Sequence, residues 1–357
     1  MKLSVKLLLF VVSFSFSISN AQLKKQITTA TNITKKLILN QNIPGLSITI
    51  AKKGVNIWSQ GFGYADLENK KKVSSNSTLF RVASISKTIT SIGLAKLIDL
   101  NKIKLNESLY KYAPYFPRKK YDFTLRQIGG HMAGIRHYNG NEFLINKKMS
   151  ITKGLDVFKN SALLFKPGTR FKYSTYGFNL LSVVIQESSN NDFFEFMYKE
   201  IFNPLKMNHT FAESANYKVN NLTNFYIKRR DKVIIGPKVN NLYKAAGGGF
   251  LSTSEDLVLL GSEFINPKII SKKSLLEITT SNKTNDGKKT NYGIGISISK
   301  TKNNSLKLSH SGGGIGASSY LLIYPEEEIT IAILTNLTNV KMNTYIKNLE
   351  TIFVDGN

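Results

Sequence analysis

The spacing of apolar residues changes character twice along the chain. Leu46-Ser-Ile-Thr-Ile-Ala51 is a β-branched run, and Val55 to Phe62 is a second. Lys53-Gly54 between them has the composition of a two-residue hairpin turn, so the segment predicts two antiparallel strands. From Ser84 to Leu100 the apolar positions take helical spacing. Between Lys102 and Tyr243 helical patterns and loops dominate. Thr124 to Gly130 predicts a short helix, Ile151 to Leu164 another, and Tyr176 to Glu187, with Leu180, Leu181, Val183, Val184 and Ile185, a buried one. Pro167-Gly168 marks a turn before that last helix. Strand patterns return at Tyr292 to Ser299, Leu306 to His310, Ser318 to Tyr324 and Ile329 to Thr335, with turns at Asn303-Asn304 and Glu326-Glu327. Thr344 to Phe353 predicts a closing helix.

Strands at both ends with helices between them predict an α/β (α+β) fold: one antiparallel sheet built from both chain ends, flanked by helices, with a mostly helical inserted lobe. The sheet lobe takes in about 37–101 and 244–357, and the helical lobe about 102–243. A cleft between such lobes is a common place for a site. The N-terminus carries Lys2 and Lys6, an apolar run from Leu7 to Ile18, and the small residues Ser19-Asn20-Ala21. This is the pattern of an export leader over 1–21, with cleavage after Ala21 and a mature domain over 22–357. The run is short for a membrane span. The protein is therefore expected outside the cytoplasm, periplasmic or secreted.

The 357 residues contain no cysteine, which excludes a disulfide framework, cysteine catalysis, thiolate metal sites and a lipidated N-terminal cysteine. The net charge is +26. Its lysines are scattered, with none of the Arg-aromatic interleaving of a nucleic-acid site, so no specific nucleic-acid partner is expected. A basic face of this kind suits non-specific contact with anionic envelope polymers.

Three segments carry candidate chemistry. In Phe80-Arg-Val-Ala-Ser-Ile-Ser-Lys87, Ser84 opens a helix and Lys87 lies one turn further on the same face. A serine hydroxyl needs a base, and a lysine serves when burial and a positive field keep it neutral. The spacing alone is weak, because Ser108/Lys111, Ser150/Lys153, Ser297/Lys300 and Ser299/Lys302 share it. A helix cap is the plain alternative for Ser84. Lys166-Pro-Gly-Thr-Arg-Phe-Lys-Tyr-Ser-Thr-Tyr-Gly177 places Tyr173 at a loop-to-helix transition, where it is either a packing residue or a proton carrier beside an amine. In Leu306-Lys-Leu-Ser-His-Ser-Gly-Gly-Gly314 a strand ends in glycines, which admit a substrate close to the backbone.

In this order the three segments resemble the class C β-lactamase and penicillin-binding-protein family of serine hydrolases. Gly63-Tyr-Ala-Asp-Leu-Glu68, Ala245-Ala-Gly-Gly-Gly-Phe-Leu-Ser-Thr253 and Tyr292-Gly-Ile-Gly295 are similar to further landmarks of that family. His131-Met-Ala-Gly-Ile-Arg-His-Tyr138 resembles the branch that includes the mitochondrial β-lactamase-like peptidase of animals. The resemblance implies an acyl-enzyme on Ser84, proton exchange through Lys87 and Tyr173, and an oxyanion hole from the N–H groups of Ser84 and Gly313. It implies that His310, Ser311, Gly312 and Thr175 border the substrate, with His310 orienting a carboxylate or polarising Tyr173. No metal or organic cofactor is implied; His131 and His137 read as structural.

Two positions depart from the family pattern. Thr175 stands where the second motif has asparagine, and His310 stands where many members have lysine, making that charge conditional on pH. Both point away from efficient β-lactam hydrolysis and toward peptidase or esterase members. The expected activity is cleavage of an amide or ester in a small peptide, ester or peptidoglycan-like substrate. The alternative is a non-catalytic binding or sensor protein on the same fold.

Overall fold

The computed structural model describes residues 2–213 and 220–355, with side chains described from Ala21 onward. The chain divides into two compact units, residues 43–340 and residues 1–42 with 341–357.

In the larger unit the Lys53-Gly54 turn joins β1 (Gly45–Lys52) to β2 (Val55–Asp66). Lys53 and Gly54 have φ of 53° and 75°, the left-handed pair that matches the twist of a tight hairpin. β3 (Lys71–Lys72) adds to β2. The later strands are β4 (Ser297–Lys300), β5 (Leu306–Gly314), β6 (Ala317–Tyr324) and β7 (Ile329–Thr335). They assemble in the order β3-β2-β1-β7-β6-β5-β4, antiparallel throughout. The first strand thus pairs with the last, Leu46 opposite Thr335 and Lys52 opposite Ile329. β1 and β7 are buried along almost their whole lengths, which accounts for their nearly continuous apolar runs.

The expected fold class holds: a mixed α/β unit with one antiparallel sheet built from both ends of the unit and helices between. α2 (Ile85–Asp99) is apolar around most of its circumference because it is packed on nearly all sides, with only Lys96, Ile98 and Asp99 outside the buried set. α3 (Thr175–Ser189) likewise buries Thr175 through Ile185 and stops at Asn190, which adopts the left-handed conformation of a helix C-terminus. The short helix Leu125–Gly129 is set by Thr124 and Gln127, which cap each other's backbone reciprocally. α4 (Ser254–Glu263) and α5 (Lys272–Thr279) complete the longer helices of this unit.

Two expected elements are shorter than their patterns. The helix expected over Ile151 to Leu164 is one α-turn, Ile151–Gly154, followed by a 3₁₀ turn, Leu155–Val157. Gly154 lies against Tyr243, and Phe158 leaves helical geometry to stack on Tyr176 at 4.5 Å. Tertiary packing overrides local periodicity there. The strand expected from Tyr292 begins only at Ser297, because Gly293 to Ile296 make a turn against α2 and α5.

In the smaller unit α1 (Lys2–Gln41) packs along α6 (Asn343–Phe353). Thr34 and Tyr345 share a hydrogen bond of 2.7 Å, and Gln26 donates to the Ile352 carbonyl at 2.6 Å. The leader expected over 1–21 falls, apart from Ala21, on side chains outside the described residues. Among the described residues no helix is long and apolar enough to cross a membrane.

Candidate active site

The nucleophile turn is built by strand, turn and helix in succession. The short strand Phe80–Arg81 pairs with the strand Phe250–Ser252, and the chain then turns through Ala83 at φ 46°. A left-handed alanine is strained, and here it brings Ser84 to the head of α2. Ser84 makes no side-chain cap bond. This separates it from two of the other Ser-x-x-Lys serines: Ser108 accepts from the Tyr110 N–H and Ser150 from the Lys153 N–H, both as caps, while Ser297 and Ser299 lie on β4. Lys111 and Lys153 are exposed and pair with Glu107 and Asp156.

Lys87 is wholly buried. Its Nζ lies 3.2 Å from Ser84 Oγ and 3.3 Å from Thr175 Oγ1, and it donates a short hydrogen bond to the Gly247 carbonyl. Burial, and then the nearby charge of Lys244, push its pKa well below the usual lysine range. A neutral amine has two N–H donors and one lone pair. Gly247 and Thr175 take the donors, which leaves the lone pair facing the Ser84 hydroxyl.

Tyr173 borders the same cavity as Ser84, and its ring lies 4.8 Å from Lys87 Nζ. Burial raises its pKa despite the nearby Ser84 hydroxyl, so it is a phenol at neutral pH. Thr175 accepts from Lys87, and Tyr138 lines the same cavity. The hydroxyl at the position of the family asparagine therefore holds the amine in place.

Two histidines seat the start of α3. His131 Nδ1 accepts from the Ser174 N–H at 3.2 Å, and His137 Nδ1 accepts from the Thr175 N–H at 3.1 Å. Both are acceptors at Nδ1, so both rings carry their hydrogen on Nε2. The structural reading of these residues gains a definite task, orienting Tyr173 and Thr175. No cluster of metal-binding side chains occurs among the described residues.

The glycine strand closes the cleft. Gly312 abuts the nucleophile turn, and a Cβ there would lie 2.3 Å from the Val82 carbonyl and 2.2 Å from Ser319 Oγ. A Cβ on Gly313 would meet nothing within 4 Å. Gly313, Ser84, Tyr173 and Thr175 line a common cavity of about 350 Å³ with Arg81, Lys244 and others. In the Ser84 turn the N–H groups of Ile85, Ser86 and Lys87 bond to the carbonyls of Val82, Ala83 and Ser84, while the Ser84 N–H takes no backbone acceptor among the described residues.

His310 is not poised as a charged partner for a carboxylate, although its ring lies 6.3 Å from that of Tyr173. It does not line the cavity. Its Nδ1 is 2.7 Å from the Ser311 carbonyl and must donate to it, so Nε2 accepts from the Tyr292 hydroxyl at 2.8 Å. Burial, and then the charge of Lys87, lower its pKa to about 3. It is a neutral ring at neutral pH, with no charge to offer a carboxylate. Ser311 and Gly312 also stand outside the cavity lining.

Several site residues carried no signal of their own in the sequence. Lys244 is buried in the cavity wall, and Arg81 is held there by Glu213. Gly247 belongs to a segment legible only as a family landmark, and the structure shows its carbonyl holding Lys87.

A strained serine turn, a buried lysine one helical turn on, a tyrosine from the inserted region and a glycine-ended strand define the class of β-lactamase-like serine hydrolases. The family model described as Beta-lactamase matches residues 25–348, and the chain belongs to that family. It is 28% identical to the serine beta-lactamase-like protein LACTB, mitochondrial, of Bos taurus, over 84% of this chain and 74% of that protein. Among solved structures it is similar to the octameric penicillin-binding protein homologue of Pyrococcus abyssi, with TM-score 0.80 and 23% identity, covering 93% of this chain and 78% of that one. It is also similar to EstCE1, described as a hydrolase with promiscuous acyltransferase activity, with TM-score 0.80 and 18% identity over 94% and 99%.

Proposed function

We propose that the protein is an active serine hydrolase that cleaves an amide or ester through an acyl-enzyme on Ser84. The observation that carries this reading is the uncapped Ser84 hydroxyl 3.2 Å from a fully buried Lys87 amine. The neutral amine takes the Ser84 proton as Oγ attacks the carbonyl carbon. The resulting oxyanion is held by the N–H groups of Ser84 and Gly313. Tyr173, still protonated, gives its proton to the leaving nitrogen or oxygen, and the Lys87 ammonium restores it. Water then attacks the acyl-enzyme with the same groups in reverse, and Ser84 is regenerated.

Small peptides and esters are the substrates proposed, with peptidoglycan-like peptides next. Weak β-lactam turnover is expected, since the cleft lacks a cation at His310 and has a hydroxyl for the asparagine amide. An exported location, with loose attraction of the basic surface to anionic polymers, accords with the leader pattern. The uncharged His310 equally favours a second reading, a binding protein that kept the fold. Incubation with a fluorophosphonate followed by mass spectrometry decides between them. An adduct on Ser84, absent from Ser84→Ala, is expected; no adduct with several such probes would establish the binding protein.

A further inference from the structure

Six basic side chains border the reaction centre among the described residues, and five of them are already committed; His131 spends its Nδ1 lone pair on the Ser174 N–H. Lys87 faces Ser84. His310 is neutral, with both nitrogens bonded. His137 spends its lone pair on the Thr175 N–H. Arg81 donates to both oxygens of Glu213 at 2.5 to 3.0 Å and to the Ile315 carbonyl at 2.7 Å, and its guanidinium covers the Phe225 ring.

Lys244 is different. It lines the same cavity as Ser84 and Gly313 and is only 4% exposed. Its Nζ donates to the Phe143 carbonyl at 3.1 Å and lies 5.1 and 5.5 Å from the ring centres of Tyr138 and Tyr243. An ammonium has three donors. One carbonyl and two ring faces orient it without supplying a counter-charge, and burying such an ion is costly. Glu213, the acid whose charge acts on Lys244, is already bound by Arg81 and by Asn241 Nδ2 at 2.7 Å. Desolvation and Arg81 lower the pKa of Lys244 to about 8, against the pull of Glu213, so most of the population is charged at neutral pH.

We propose that Lys244 is the specificity cation of the cleft, selecting substrates that carry a carboxylate on the part lying along Thr175, Tyr138 and Asn241. This rests on the hydrolase reading and adds a substrate class to it. Selection for the anion thus moves from β5, where His310 has no charge, to Lys244.

The test uses two isosteric ester pairs. One is p-nitrophenyl glutarate half-ester against its glutaramate, with the acid on the acyl side. The other is the acetyl ester of 4-hydroxy-3-nitrobenzoate against that of its amide, with the acid on the leaving side. Each ester is scored by turnover and as a competitor of fluorophosphonate labelling at Ser84, so an ester that binds without reacting still counts. The wild type should prefer the acid of at least one pair by about tenfold or more, as a buried charge-assisted contact implies. Lys244→Met should bring that ratio to about one, and Lys244→Arg should keep it. Because Lys244 also tunes Lys87, the acid-to-amide ratio is the readout, whatever happens to the overall rate. A wild-type ratio near one in both pairs overturns the proposal without any variant, as does a ratio unchanged in Lys244→Met. Labelling of wild-type Ser84 without acid preference sinks Lys244 alone; no labelling sinks the hydrolase reading.

Discussion

The imidazole of His131 lies 4.3 Å, centre to centre, from the phenol ring of Tyr173, while its Nδ1 holds the N–H of Ser174, the next residue. His131 is itself left-handed, at φ 60°. It is a positioning residue for Tyr173. His131→Ala should slow Ser84 labelling about tenfold and destabilise the fold by about 3 kcal/mol, as for a truncated buried ring. Asparagine tolerates this backbone and can present an acceptor near the Nδ1 position. His131→Asn should therefore recover much of the labelling rate. Equal losses in both variants, followed by labelling kinetics and urea denaturation, would reduce His131 to packing.

Lys87→Ala and Tyr173→Phe should each lower turnover at least ~100-fold, the scale of lost proton transfer. Steady-state rates on the best ester found will show this, and near-normal rates in either variant would remove that residue from the proton path.

Adjacent glycines on β5 should behave differently. Gly312→Ala drives a methyl group into the Val82 carbonyl and Ser319. It should cost about 1–3 kcal/mol as overpacking and displace the nucleophile turn. Gly313→Ala meets open space, so its stability should stay within about 0.5 kcal/mol of wild type. Thermal and urea unfolding compare the two directly.

Acid should destabilise the fold in a window set by His310. Its native pKa is about 3, against about 6.5 for a free histidine. Between those values the unfolded chain binds a proton that the native ring refuses, so stability rises with pH. The contribution is complete above about pH 6.5 and is lost as pH falls toward 3. From pH 7 to 5 the loss from His310 alone is about 2 kcal/mol. His131 and His137, both lowered chiefly by burial, act in the same direction. Urea midpoints across this range should fall with pH, less steeply in His310→Gln.

The β1-β2 hairpin and the Ser84-Lys87 pair were legible because each is local. The hairpin needed only Lys53-Gly54 and its β-branched flanks, and one helical turn brings Lys87 under Ser84. Lys244 was illegible because nothing in Asn-Leu-Tyr-Lys-Ala-Ala246 tells a buried ammonium from a surface lysine. Its burial arises from Tyr138 and Phe143, a hundred residues earlier. His310 shows the complementary limit: its position was apparent, but its lost charge depends on a burial that the sequence around it does not reveal, with Tyr292 hydrogen-bonded to its Nε2. The segment after Ile151 had helical spacing, yet Phe158 stacking on Tyr176 decided its path.

The pairing of β1 with β7 has a biosynthetic consequence. Ser84 and Lys87 leave the ribosome well before the strand bearing Gly313 and the strand that pairs with β1. Such distant pairings form late and slowly. A growing chain therefore carries Ser84 before its cleft exists, and the surroundings of that side chain are complete only after β7 docks.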